Sequence, residues 1–161
     1  MQHLVVRHAE PSDAKTVAAM IEEIERYYGT TTIQPFEERL AQVEVALFGT
    51  PPLAYCLLAV ADGEVVGLAA YSFLWPAAGS THSLFLKELY VRPDERRLGT
   101  GTRLMREMQA IAAARPGCSR VEWMTDRDNA DARAFYRRLG FEEFEGKVNY
   151  RVTSAVPDQL G

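Results

Sequence analysis

The 161-residue chain holds two cysteines and three histidines. Cys56 and Cys118 are far apart, and no Cys-x-x-Cys pair or Cys/His cluster exists. That excludes a zinc site of the usual spacing and leaves no metal to expect. Two free thiols in a reducing compartment are the simplest reading. Long hydrophobic runs are missing too. No stretch approaches the ~20 apolar residues a membrane span needs. The first residues, Met1 to Arg7, lack the apolar core and cleavage site of a signal peptide. A cytoplasmic protein with no membrane partner is therefore expected. A basic excess is also absent: 18 Lys and Arg stand against 22 Asp and Glu, for a net charge of −4. That balance argues against nucleic acid as a partner. There are no repeats, low-complexity tracts or linkers, so residues 1–161 are read as one domain. With 47% hydrophobic and 25% charged residues, the chain can bury one core of ordinary size.

Two common phosphate motifs are missing as well. No Gly-Lys-Ser/Thr ending marks a Walker loop, and no Gly-x-Gly-x-x-Gly turn opens a βαβ unit. What is present is Arg96-Arg97-Leu98-Gly99-Thr100-Gly101-Thr102. It follows an apolar, strand-like run, Leu84-Phe85-Leu86-Lys87-Glu88-Leu89-Tyr90-Val91. It precedes a helix read over 103–115, where Leu104, Met105, Met108, Ile111 and Ala112 share one face. A glycine-rich turn between strand and helix gathers backbone N–H groups at the positive end of the helix dipole, which suits a phosphate. Arg96 and Arg97 would add charge-assisted contacts. By itself the turn reads equally as a solvated basic loop whose glycines serve geometry alone.

The remaining pattern reads as a mixed α/β domain. A short strand is expected over 4–7. A helix starts at Pro11-Ser12-Asp13, with Ser12 or Asp13 as N-cap, and ends near Tyr28-Gly29. A second helix spans about 35–48. Strands over 53–61 and 64–74 flank an Asp62-Gly63 hairpin turn. After the glycine turn and its helix come a strand over 119–125, a short helix over 129–139, and two closing strands over 141–144 and 147–153. The expected architecture is a mixed, mostly antiparallel sheet of six to seven strands flanked by about four helices.

A second cluster bears on chemistry. Asp126-Arg127-Asp128-Asn129 precedes Ala134-Phe135-Tyr136-Arg137-Arg138-Leu139-Gly140-Phe141. Asn129 and Tyr136 are two helical turns apart and lie on one face. Asn129 can be a simple N-cap, and Phe135 with Leu139 can be core. A Tyr hydroxyl on that face could donate a proton to a leaving group.

The pairing of strand–Arg-x-x-Gly-x-Gly–helix with Asn…Phe-Tyr…Leu-Gly-Phe resembles the GNAT superfamily of acetyl-CoA-dependent N-acetyltransferases, over residues 4–152. A closer resemblance is to the spermidine/spermine and thialysine acetyltransferase branch. It is carried by Gly67-Leu68-Ala69-Ala70-Tyr71-Ser72-Phe73, by Leu86 to Val91 and by Asn129 to Tyr136. The resemblance implies acetyl-CoA as co-substrate and a small primary amine as acceptor: a polyamine, a lysine-like amino acid or an amine antibiotic. It implies direct transfer in a ternary complex and a homodimer, with the C-terminal strands and helix surfaces as interfaces. The strand before the turn would part from its neighbour. Leu89, Tyr90 and Val91 would then hold the acetyl carbonyl and pantetheine through their backbone. The backbone N–H groups of Arg96, Arg97, Leu98, Gly99, Thr100, Gly101 and Thr102 would hold the pyrophosphate. Asn129 and Phe135 would contact the pantetheine arm, and Tyr136 would protonate the departing thiolate.

An alkylamine of pKa ~10.4 is mostly protonated at neutral pH, so the site must take a proton from it before attack. Glu88 reads as that base, as an amine-recognising acid, or as a surface carboxylate. In the polyamine branch two adjacent acids typically stand here; this chain has Lys87-Glu88, a departure that bears on polycation binding. Tyr28 and Trp75, with Tyr27 and His82, sit where loops would border the acceptor. His82 reads as a solvated side chain or a proton relay. Two other readings stay open: acetylation of protein N-termini or lysines, and an acyl-CoA-binding module without catalysis.

Overall fold

A computed structural model of the chain describes residues 2–153. By contact density the chain divides into two units, 1–124 and 125–161.

The first unit is built on one five-stranded sheet of order β1-β2-β3-β4-β5. The strands are β1 (Leu4–His8), β2 (Tyr55–Ala61), β3 (Glu64–Leu74), β4 (His82–Val91) and β5 (Cys118–Trp123). The first four are antiparallel neighbours, and β5 runs parallel to β4. Between β1 and β2 come α1 (Ala14–Tyr27) and α2 (Phe36–Phe48). Between β4 and β5 comes α3 (Thr100–Ala114), the helical crossover that a parallel pair requires.

Helices α1 and α2 bury Val17, Met20, Ile24 and Val43 against Cys56, Leu58, Leu68 and Tyr90 of the sheet. Leu57, Ala59, Ala69, Leu84 and Leu86 are also buried but alternate to the opposite side, and α3 packs on β4 and β5 with Leu104, Met105 and Met108 fully buried. The central strands therefore read as near-continuous apolar runs instead of alternating ones. Burial also explains the inert thiol of Cys56, whose pKa is pushed up to about 12 by desolvation. Both cysteines are free.

Asp13 precedes α1, and its carboxylate turns back, accepting from the Glu10 N–H at 2.7 Å and from both Arg7 end nitrogens at 2.8 and 3.0 Å. The glycine turn hides three residues of helix: α3 starts at Thr100, not at 103, because Gly99 takes a left-handed φ of +88° and its carbonyl accepts from the Arg103 N–H.

The second unit carries α4 (Ala130–Arg138). Here the expected architecture needs correction. Residues 141–144 and 147–153 are not strands, so among the described residues the sheet has five strands and not six or seven. Phe144, Val148, Tyr150 and Val152 are 79%, 78%, 91% and 55% exposed. Their spacing shows which side chains could share a face. A strand additionally needs a neighbouring backbone to hydrogen-bond, and none pairs with them among the described residues.

Candidate functional site

The site in the first unit begins with a register fault. Ala70 pairs with Glu88 but Tyr71 pairs with Leu86, so Lys87 is one residue too many on β4. Such a bulge bends and twists the strand that carries it. Beyond it the two neighbours of β4 part company. The β4–β5 register stops at Leu86↔Trp123, whereas the β3–β4 register runs on to Gly67↔Val91.

The direction of the backbone groups past that point follows from one hydrogen bond. Arg92 N–H donates to the Val66 carbonyl at 2.9 Å. In an antiparallel ladder this marks Gly67–Val91 as a pair whose own N–H and C=O groups point away from each other. Val91, and Leu89 two residues earlier, thus direct their backbone groups toward the side that β5 has left. Gly67 permits the approach: a Cβ there would lie 2.8 Å from the Tyr90 carbonyl oxygen.

The chain then makes a 3-10 turn, Pro93–Glu95, and enters the basic turn. Arg97 sits at φ +64° and Gly99 at +88°. A left-handed Arg costs on the order of 1–3 kcal/mol, strain that persists only where the surroundings impose it. No side chain caps α3. The amides of Thr100, Gly101 and Thr102 form its first turn, at the positive end of a 15-residue helix. A Cβ at Gly99 would meet nothing within 4 Å, so the approach is open. Thr100 is 2% exposed, and its hydroxyl oxygen has no partner among the described residues. Buried polar atoms are almost always bonded, so this orphan fits a group that arrives with the ligand. These features fit a diphosphate at the turn and an extended arm along β4.

The side chains expected at the site are placed as follows. Leu89 is half-buried, and Tyr90 and Val91 are buried. The Tyr90 phenol is raised above its usual pKa, chiefly by desolvation. Glu88 follows the bulge and is half-buried. Arg97 and Leu98 are exposed, Leu98 to 59%. Arg96 points away from the turn: its Nε donates to the Val91 carbonyl and its NH1 to the Tyr27 hydroxyl, both at 2.8 Å. So the Val91 carbonyl is already engaged, and its N–H is what remains to offer. Tyr28 is 50% exposed and meets Tyr27 edge-on at 5.2 Å. Tyr27 closes α1 and His82 opens β4, so neither lies within a loop. His82 Nε2 accepts from Arg115 Nε at 3.0 Å, which occupies the nitrogen a relay would use. Trp75 is 72% exposed, its indole N–H donating to the Ser80 carbonyl.

In the second unit, Asn129 is the N-cap of α4; its Oδ1 accepts from the Ala132 N–H at 3.1 Å. Phe135 and Tyr136 lie on α4 with ring centroids 5.1 Å apart. Among the described residues no group of three or more His, Cys, Asp or Glu could hold a metal ion. No described helix is long and apolar enough to cross a membrane.

Two features escaped sequence reasoning. The bulge at Lys87 leaves no composition signal. The Glu23–Arg92 pair, bonded through both carboxylate oxygens at 3.0 and 2.8 Å, joins residues 69 positions apart.

The model of the acetyltransferase (GNAT) family matches residues 17–141. The chain belongs to that family. As a GNAT N-acetyltransferase it uses acetyl-CoA, and its mixed five-stranded sheet with four α-helices is the GNAT fold. Thialysine N-epsilon-acetyltransferase of Sus scrofa is 26% identical over 171 aligned positions, covering 99% of this chain and 98% of the relative. Aminoglycoside N(6')-acetyltransferase type 1 of Stenotrophomonas maltophilia is 30% identical, covering 91% and 92%. Among solved structures, an integron cassette protein from V. cholerae superposes with a TM-score of 0.86 at 23% identity, covering 98% and 96%, a likeness of fold alone. In this GNAT chain, then, the parted β4 and the uncapped α3 are features that suit an extended arm and a diphosphate.

Proposed function

We propose that this enzyme transfers an acetyl group from acetyl-CoA to the primary amine of a small molecule, by direct attack in a ternary complex. The acceptor is a polyamine, a lysine-like amino acid or an aminoglycoside-type amine. The relatives named for thialysine and aminoglycosides support that range. The observation that carries the reading is the parting of β4 from β5 after the Lys87 bulge, next to an uncapped helix N-terminus.

Acetyl-CoA supplies a thioester carbonyl that a neutral amine can attack. The chain's own groups do the rest. The Thr100, Gly101 and Thr102 amides hold the pyrophosphate, with Arg97 adding charge. Val91 N–H holds the pantetheine arm, and Leu89 N–H donates to the carbonyl oxygen as negative charge develops there. Glu88 accepts the ammonium proton, directly or through water, and Tyr28 and Trp75 border the acceptor. As the N–C bond forms and the C–S bond breaks, Tyr136 gives its proton to the thiolate. Asn129 and Phe135 contact the pantetheine arm. The family match spans residues in both units, which supports one transferase domain over 1–161. A homodimer is part of this reading; the exposed Phe144, Val148 and Tyr150 are surface it could cover.

The deciding experiment measures coenzyme release from acetyl-CoA across polyamines, lysine analogues, aminoglycosides and N-terminal peptides. Turnover with a small amine supports the proposal. Turnover with peptides alone makes the enzyme a protein acetyltransferase. Tight coenzyme binding with no turnover anywhere makes it a binding module.

A further inference from the structure

Arg96 is the first basic residue of the turn and, on sequence, the natural phosphate contact. Its guanidinium is engaged elsewhere. Besides its hydrogen bonds to the Val91 carbonyl and the Tyr27 hydroxyl, it stands 4.5 Å from the Tyr27 ring centroid and 5.8 Å from that of Tyr90. Tyr27 in turn meets Tyr90 edge-on at 6.0 Å. Four residues before Arg96, Arg92 grips Glu23, which stands four residues before Tyr27 on the same flank of α1. Two arginines at the start of the turn thus seize two α1 residues at matching helical spacing.

The planar guanidinium suits this role: it donates in its plane while its faces lie against aromatic rings. Moving it to a phosphate would break two hydrogen bonds and two ring contacts together. Arg97 differs. It is exposed and makes no side-chain hydrogen bond or ion pair among the described residues.

We propose that Arg96 is a positioning residue and not a phosphate ligand: it braces the β4–α3 turn against the C-terminal end of α1. Phosphate charge falls to Arg97 and the helix amides. Because Tyr28 follows Tyr27 directly, the brace also links the donor turn to an aromatic of the acceptor side. This role rests on the acetyl-CoA reading only where coenzyme is involved.

The test uses the full chain with Arg96→Gln, Tyr27→Phe and the double variant. Tyr27 is 47% exposed, so Tyr27→Phe keeps the fold while removing the hydroxyl. Without ligand, each single variant is expected to speed amide exchange at both residues 24–30 and residues 91–100. The double variant adds little more. Coenzyme A affinity falls roughly 3- to 10-fold in Tyr27→Phe, the size of one lost hydrogen bond, and at least as far in Arg96→Gln, with the double variant matching Arg96→Gln. Its ionic-strength dependence stays that of the parent, whereas Arg97→Gln flattens it. The proposal is overturned if Arg96→Gln alone weakens coenzyme A and flattens that dependence while Tyr27→Phe does nothing. It also falls if neither variant alters exchange at 24–30. Should the parent protein not bind coenzyme A, the donor reading fails, and the exchange result still decides the brace.

Discussion

The donor end and the acceptor side proposed for this enzyme are built from different materials. The donor end is mostly backbone: the edge of β4 past its bulge and the first amides of α3. The acceptor side is mostly side chains: Glu88, Tyr28 and Trp75, with the two aromatics 50% and 72% exposed. A site made of backbone survives wide sequence change provided the glycines and the register survive. A site made of exposed side chains can change its ligand one residue at a time. Two relatives, 26% and 30% identical to this chain, are both named as acetyltransferases but for different acceptors.

The largest expected effect strikes the backbone-built end. Gly101→Asp puts a carboxylate in the first turn of α3, where it favours the helix but opposes a phosphate. Coenzyme A affinity should fall by about 100-fold or more with the melting temperature unchanged; calorimetry and thermal unfolding read the two separately. Intact affinity would mean that the phosphate lies elsewhere. Next comes Tyr136→Phe, expected to lower kcat about 100-fold with the acetyl-CoA KM little changed, as loss of a positioned acid does. Unchanged turnover would remove the acid role.

On the side-chain-built end the effect should be smaller and should follow the acceptor. Glu88→Gln is expected to lower kcat/KM for the amine roughly 10-fold while leaving coenzyme A affinity as it was. An equal loss with every amine marks a base; losses confined to polycationic amines mark a recognition group. The smallest effect lies in the scaffold. Arg7 holds the Asp13 carboxyl below its usual pKa by hydrogen bonding, with the Glu10 amide assisting. A depressed carboxylate stabilises the fold above its unfolded pKa and loses that contribution as pH falls through the folded value. Asp13→Asn should therefore cost about 1 kcal/mol near neutrality, discounted for the 40% exposure of the Arg7 side chain. The gap should close as pH drops below about 3.9. Urea unfolding across pH reads it, and a gap that widened in acid would refute the assignment.

The turn proposed for the donor and its flanking elements were legible in the sequence because their signals are local. Gly99 announces a left-handed residue, Gly101 a side-chain-free first turn, and the run from Leu84 to Val91 a strand. The same local reading offers Arg96 as a phosphate contact, since a cation beside a phosphate turn looks like one; its hydrogen bonds to Tyr27 and Val91 could not be read there. It also turned the spacing of Val148, Tyr150 and Val152 into a strand, although pairing depends on a neighbour that their own sequence cannot specify.

By itself, then, the sequence determined the order of elements as far as α4, the turn that suits a diphosphate, the Asn129–Tyr136 spacing and, through them, the family. These rest on φ angles, caps and periodicities set within a few residues. Only the tertiary structure decided the bulge at Lys87, the parting of β4 from β5, the partners of the Arg96 guanidinium and the five strands among the described residues. Each depends on which distant backbone or ring is packed alongside, and packing is settled by the whole core at once.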